Sequence, residues 1–529
     1  MKIEDSFNKY FYAQVKRVLT QMDRDPDSPT FGCFDRNHWH YKIRDFPSSI
    51  LQQGAIVVET LRQNPNEILT ESTAREWVIA ALNALSVQAE PKGAVSEYFP
   101  FEDSYPASAF GLYAASRIIL DWKRYGNNNN DRVRWSGLQK LARRLARREE
   151  LQAANQYAAG VSALAMASKV PEFELSPSVV TTHADRLFEL QHPEGWFHEY
   201  GGPDFGYLTV TIDALVDYHD ATQDPRALTA ADNAVAFLAS LIGCDGELPW
   251  TLNSRNTDYV VPYGLVRTAK RNPLAAWLVH TLFSHLGDTS HAIWSTDDRY
   301  HLHYIYSSIV RSVPYLKEMT IPEGPVQTKQ VWFPGCGYWV WRLSGPPVTV
   351  YVGAYKGGVL RVHRGDDQPS RYENGWRLNL GSELWTTNSW QPENEVDALD
   401  GSVTVTGGFV RYKPVVPTPL KHAVLRVLAK LLGHKLTAVL KKIMIFRRST
   451  KHSPTFTRTI HLDPNERALF INDDFVISDG AKLVKSPRQN LRHVASADSF
   501  SVEENIGLSD FLESKGAHTG AHISHRYSI

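Results

Sequence analysis

A chain of 529 residues is longer than one hydrophobic core usually organises, so two large domains are expected. Apolar residues make up 43% and charged residues 22%, as in water-exposed globular proteins, and no uninterrupted apolar run is long enough to span a bilayer. Lys plus Arg and Asp plus Glu are equal at 57 each, so no whole-chain field favours nucleic acid.

Three cysteines, Cys33, Cys244 and Cys336, lie far apart without a CxxC pair, which argues against a disulfide framework and a cysteine zinc cluster. The opening MKIEDSFNKYFYAQVKRVL is charged and amphipathic, unlike an export signal, so a cytoplasmic protein is expected. Just after it, CFDRNHWHYKIRDFPSS offers Trp39 and His40 as candidate cleft lining.

Helical periodicity then dominates to about residue 320, in ESTAREWVIAALNALSVQ, GLQKLARRLARREELQ, RALTAADNAVAFLASLIG and NPLAAWLVHTLFSHLG. Loops rich in Gly, Pro and aromatics feed apolar helices near Phe46, Tyr105, Asn155, Tyr207, Tyr263 and His303. Their spacing of roughly fifty residues is the length of a helical pair, repeated about six times. Such an array can close into an (α/α) toroid over residues 1–322, with its long loops gathered at one cleft. An open solenoid and an irregular helical domain are the competing readings. Tyr105 and Tyr263, at two of the junctions, are candidate substrate contacts.

After Pro322 the pattern turns to short β-rich runs such as QVWFPGCGYWVWRL, PVTVYVGAY and TFTRTIHL. An antiparallel β-sandwich is expected over residues 323–529, with Trp339-Val340-Trp341-Arg342 alternating on a half-buried strand. A basic helical insertion interrupts it near residues 418–445. No Asp or Glu occurs between Asp400 and Asp463, where twelve Lys or Arg stand. Residues 418–451 therefore suit either peripheral contact with an anionic membrane, at its inner face, or a solvated helix on the sandwich.

Three loops concentrate reactive side chains. AANQYAAGVSALAMA opens a helix with Asn155 and Gln156, where an amide is commonly a cap. QHPEGWFHEYGGPDFGYLTVTIDAL crowds His198, Glu199, Tyr200, Asp204 and Tyr207 into ten residues among three glycines. YKGGVLRVHRGDDQPSRYENGW carries Arg361, His363 and Arg364 in the β half.

A toroid followed by a sandwich resembles the heparinase II/III-like and alginate-lyase-like polysaccharide lyases. ANQYAAGVSALA is similar to that family's Asn-His helix start, with Gln156 where His often stands. GWFHEYGGPDFGYLTVTIDAL resembles its glycine-rich segment leading to a catalytic tyrosine, which points to Tyr207. LRVHRGDDQPS resembles its His-x-His-x-Asp stretch, with Arg361 at the first His position, His363 at the second and Asp366 beyond. The resemblance implies β-elimination on an acidic, uronate-containing polysaccharide or oligosaccharide. Neither a metal nor a cofactor is expected.

Elimination from a 4-linked uronate needs a partner for the carboxylate, a base for the C5 proton and an acid for the leaving oxygen. Asn155, helped by Arg361 or Arg364, fits the first role and Tyr207 the third; the second suits His363 best at neutral pH, with Tyr207 as the alternative base. Gln156, His198, Glu199, Tyr200 and Asp204 would bind substrate. Two other classes stay open: a glycosidase using a pair among Glu97, Asp103, Glu199, Asp204, Glu247 and Asp258, or a non-catalytic polysaccharide-binding or assembly protein.

Overall fold

Helices fill the first part of the chain in the order α1 (Ile3–Leu19), α2 (Arg36–Trp39), α3 (Ala55–Gln63), α4 (Glu71–Ala89) and α5 (Tyr105–Arg124). They continue as α6 (Trp135–Leu145), α7 (Ala154–Ala167), α8 (Pro177–Glu189), α9 (Phe205–Thr222) and α10 (Pro225–Leu241). The last are α11 (Tyr263–Ala269), α12 (Pro273–Phe283), α13 (Asp298–Tyr300) and α14 (Tyr306–Ser312). The computed structural model describes residues 2–64, 66–126, 130–317, 319–365, 370–413, 416–444, 448–478, 480–486 and 522–529.

Composition separates two kinds of helix. α7 is Ala- and Gly-rich and buries every residue except Gln156, whereas α6 buries only the stripe Gly137, Leu138, Leu141, Ala142 and Leu145. A helix apolar all round belongs inside, and one with a single stripe belongs on the rim. The contacts follow that rule. α3, α5, α7, α9, α11 and α14 touch in succession, and α14 returns to α3. Outside them α4, α8, α12 and α1 each lean on one inner helix, while α6 bridges α5 and α7 and α10 bridges α9 and α11. The N-terminal helix completes the circle, since Phe11 O accepts from Tyr306 Oη at 2.7 Å and Ser6 Oγ accepts from Gly287 N at 2.7 Å. Six helical pairs thus form a closed double ring, an (α/α) toroid rather than an open solenoid.

The second part is antiparallel throughout. β1 (Gln330–Phe333), β2 (Tyr338–Leu343), β3 (Val348–Gly353), β4 (Val359–Arg364) and β5 (Arg371–Glu373) form a sheet in sequence order. β6 (Trp376–Leu380), β7 (Glu383–Thr386), β8 (Glu395–Leu399), β9 (Ser402–Gly408) and β10 (Val410–Tyr412) follow, then β11 (Thr455–Asp463), β12 (Ala468–Val476), β13 (Lys482–Lys485) and β14 (His522–Ser528). They pair as a four-stranded sheet β10-β7-β6-β13 and a five-stranded sheet β14-β12-β11-β9-β8.

β2 is buried on both faces rather than one, because the first sheet lies between two cores. Tyr338 and Val340 join the toroid core, while Trp339 and Trp341 join the sandwich core. Period-two alternation thus sorts apolar side chains between two apolar surroundings.

Between β10 and β11 the basic insertion forms two helices, α15 (Pro419–Leu432) and α16 (His434–Met444), broken at Gly433, whose φ of 53° suits a residue without Cβ. No helix among the described residues is long and apolar enough to cross a membrane.

Candidate active site

The N-terminal ends of α5, α7 and α9 open on one cavity of about 310 Å³. Its wall is completed by the 97–104 loop, Arg255 from the turn before α11, the π-helical turn His301–Ile305, and the α15–α16 hairpin overhead. Three helix N-termini direct partial positive charge at this space, which favours an anionic ligand.

Asn155 stands in the first turn of α7 but does not cap it, since the N-cap is Ala153, which provides no side-chain bond. Glu199 takes over that work from another loop, its Oε1 accepting from Asn155 N at 2.6 Å. The Asn155 side chain is thereby left to line the cavity. Burial holds the Glu199 carboxyl well above the usual carboxylate range. Its Oε2 has no hydrogen-bond partner among the described residues.

Tyr207 sits one turn into α9, and Asp204 caps that helix by accepting from Tyr207 N at 3.1 Å and from Thr257 N at 3.1 Å. Burial pushes Asp204 up to about 6. Gly206 is required between them, because a Cβ there would lie 2.3 Å from Thr257 Cγ2 and 2.4 Å from Tyr259 O. Burial, then the neighbouring Tyr300, raises the Tyr207 phenol well above its ordinary value, with Arg255 opposing. Tyr207 therefore keeps its proton at neutral pH.

Tyr200 adopts a left-handed backbone (φ 56°), a conformation that costs a non-glycine residue energy and marks an over-determined site. Arg255 lies 4.9 Å from its ring centroid and Lys441 of α16 lies 5.5 Å away. Gln156 Nε2 donates to Tyr200 Oη at 3.3 Å. Two cavity-lining residues keep buried polar atoms with no partner among the described residues, Gln156 Oε1 and His303 Nε2. Such atoms are costly unless a ligand or water completes them. Burial, reinforced by Arg299, holds His303 well below its ordinary range, so its imidazole is neutral.

The loop carrying Arg255 is pinned from both sides. Asn253 accepts from Phe205 N at 3.0 Å and donates to Thr257 O at 2.9 Å. From the sandwich, buried Lys356 donates to Thr251 O at 2.6 Å, to Asn253 O at 3.0 Å and to Asn256 Oδ1.

The ring therefore brings together Asn155, Gln156, Tyr200 and Tyr207 from the residues singled out in the sequence. The others lie elsewhere. His363 is not on this cavity. β4 pairs with β3 so that His363 and Arg361 face the loop after α10, where His363 Nδ1 meets Ser370 Oγ at 3.0 Å and lies 3.4 Å from Asp245 Oδ2. Arg361 is fully buried there in ion pairs with Asp245 (2.7 Å) and Glu247 (2.8 Å). Arg364 ends the same strand outside the cavity, and Asp366 falls outside the described residues.

Glu199 and Asp204 act on the backbone of α7 and α9 rather than lining the space. His198 packs edge-on to Trp196, with centroids 4.9 Å apart. Trp39 donates from Nε1 to Gln21 O at 2.8 Å, and exposed His40 leans on it. Tyr105 is turned into the core toward Tyr157. Tyr263 lies deeper because α11 starts lower, with Gly264 against Ile212 and Asp213, roughly 9 Å along α9 from Tyr207. It lines a separate polar cavity with Arg117, Asp121 and Arg311.

Arg255, His303, Tyr304 and Lys441 also line the cavity although no local sequence pattern marked them for it, and Glu97, marked only as a loop acid, lines it too. The nearest thing to such a mark is the dense run Tyr300-His301-Leu302-His303-Tyr304 at the last loop-to-helix junction. Glu97 pairs with Arg299 at 2.6 Å and accepts from Ser104 Oγ at 2.7 Å. Glu102 accepts from the Glu97 and Tyr98 amides at 2.9 and 2.7 Å, and burial together with the Glu97 charge raises it far above the carboxylate range. Among the described residues no three His, Cys, Asp or Glu side chains gather as a metal site.

No protein-family model and no curated protein sequence matches the chain. Among solved structures it is similar to a chondroitin AC lyase mutant of Streptomyces coelicolor A3, at 9% identity and a TM-score of 0.49, over 91% of this chain and 67% of that one. It is also similar to a heparinase III, at 11% identity and a TM-score of 0.34, over 88% and 80% of the two chains. A GH127 β-L-arabinofuranosidase from Geobacillus stearothermophilus T6 aligns at 9% identity and a TM-score of 0.34, over 99% and 94%. The fold itself is a helical toroid followed by antiparallel sheets, and at these identities and TM-scores the likenesses say nothing of activity or substrate.

Proposed function

We propose that the cavity binds a uronate unit of an acidic polysaccharide or oligosaccharide and cleaves the chain beside it by β-elimination. The observation that carries this reading is the meeting, in one enclosed space, of a protonated phenol, a neutral unpartnered imidazole, two amides and a cation. Asn155, Gln156 and Arg255 engage the carboxylate and stabilise the charge that develops as C5 is deprotonated. His303 Nε2 takes the C5 proton. A bound carboxylate raises the affinity of that imidazole for the proton by placing a negative charge beside it. Tyr207 then protonates the leaving glycosidic oxygen. His363, paired at the loop after α10, takes no part.

Elimination leaves a double bond conjugated with the carboxylate, so incubation with a panel of uronate polymers and oligosaccharides produces near-ultraviolet absorbance. Absence of that chromophore from every substrate that the protein demonstrably binds overturns the proposal.

The buried pair Glu97 and Glu102 on the same wall supports a second reading, glycoside hydrolysis with Glu102 as the protonated acid. Reducing ends released from a neutral glycan without the chromophore are its signature.

A further inference from the structure

The α15–α16 hairpin leaves the sandwich and reaches the toroid, where its contacts are few. Arg426 pairs with Asp45 at 2.8 Å, Thr437 Oγ1 donates to Glu102 O at 3.4 Å, and Lys441 donates to Glu150 at 2.6 Å. Its inner side is a narrow strip in which Ala429 and Leu436 are buried, while Leu425 and Leu440 help to roof the cavity. At 100° per residue, Leu420, Val424, Val427, Leu428 and Leu431 fall on the opposite side of α15 as a second apolar stripe. That stripe is bare, with exposures of 75%, 50%, 59%, 39% and 74%. Isolated exposed leucines are ordinary, but five aligned on one helix face mark a surface meant to be covered.

Charge selects the occupant. Lys421 flanks the stripe on one side, and Lys430 edges it on the other with its ammonium 6.0 Å from the Phe101 ring centroid, in a stretch from residue 401 to 462 that contains no acid. A second copy of the chain would bring two basic hairpins face to face, where like charges repel. A leaflet with anionic headgroups accepts both parts, apolar side chains among the acyl chains and lysines among the headgroups. We propose that the outer face of α15 docks the protein on an anionic lipid surface. This surface is separate from the proposed chemistry and does not depend on it.

The test uses the full chain with sedimented vesicles of phosphatidylcholine alone or mixed with phosphatidylglycerol. Binding to the mixed vesicles that fades with added salt, and none to neutral ones, supports the proposal. The double variant Leu420→Glu, Leu431→Glu alters only exposed positions, so circular dichroism stays unchanged while binding falls by roughly tenfold or more. Lys421→Glu, Lys430→Glu produces a similar loss and weakens the salt dependence. Equal binding to both vesicle types, no binding, or full binding by the double leucine variant overturns it. So does lipid-free dimerisation, in sedimentation velocity, that the leucine variant abolishes.

Discussion

Replacing Tyr207 by Phe removes one oxygen and leaves the ring in its packing. The Tyr207 hydroxyl makes no hydrogen bond within the described residues, so no donor or acceptor is stranded by its loss. Folding stability should stay within ~0.5 kcal/mol of the parent, the range of substitutions that disturb no partner. Activity should not. A general acid contributes ~10²–10⁴-fold, so kcat/KM on a uronate substrate should fall by that factor, or ~3–5 kcal/mol of transition-state stabilisation. Because burial keeps the phenol protonated well above its ordinary range, loss of the Tyr207 proton should not limit the parent's rate at mildly alkaline pH. The assays are initial rates by near-ultraviolet absorbance, beside urea denaturation of both proteins. A variant rate within about twofold of the parent refutes the acid role. A fall in the urea midpoint that accounts for the lost activity refutes the separation of packing from chemistry.

Glu199→Gln keeps the acceptor for Asn155 N and should hold stability at neutral pH, whereas Glu199→Ala strands that amide and should cost ~1–3 kcal/mol by urea denaturation. In the parent, the folded carboxyl holds a proton that the unfolded one releases. Stability is therefore greatest below the ordinary carboxylate range and declines as pH rises toward the raised value, a slope that Glu199→Gln should flatten. Lys356→Met strands the Thr251 and Asn253 carbonyls at ~1–3 kcal/mol each and loosens the Arg255 loop, so the urea midpoint should fall and KM rise more than kcat drops. Arg458→Met leaves Glu373 and Asp473 as buried anions without their guanidinium and should cost ~3–5 kcal/mol. Burial pushes Glu373 up, but Arg458 and Lys485 outweigh it and hold it at about 2. Its stabilisation is present above the ordinary carboxylate range and lost as pH falls toward that value, which acid denaturation should reveal in the parent.

The ring was legible because its cause is local. Gly- and Ala-rich α7 cannot be exposed on any side, and α6 can be buried on only one, so inner and outer positions are written into neighbouring residues. The same holds for β2, whose alternation survives although both faces are covered. Half of the candidate site was legible for a related reason, since Asn155 and Tyr207 each open an inner helix and parallel inner helices bring their starts to one end.

The remainder depends on long-range closure. Arg255 reaches the cavity because α11 begins deep, leaving a long loop that Asn253 and Lys356 fold back. Lys441 arrives from the sandwich, more than two hundred residues from Tyr200 in sequence. His363 was drawn away by strand register, which no local pattern specifies once the facing loop supplies Asp245. Whether Asn155 caps α7 was also undecidable locally, because the competing acceptor, Glu199, lies 44 positions away.

Elimination at a uronate in this cavity can be distinguished from hydrolysis by running the reaction in heavy-oxygen water and weighing the products. Elimination breaks the glycosidic bond without adding water. Elimination yields an unsaturated fragment lighter by one water than its hydrolytic counterpart, heavy oxygen entering only by slow exchange at the new reducing end, and Tyr207→Phe forms that fragment ~10²–10⁴-fold more slowly. Saturated fragments that carry heavy oxygen at the newly formed end as soon as they form, or bound uronate recovered intact, would contradict it.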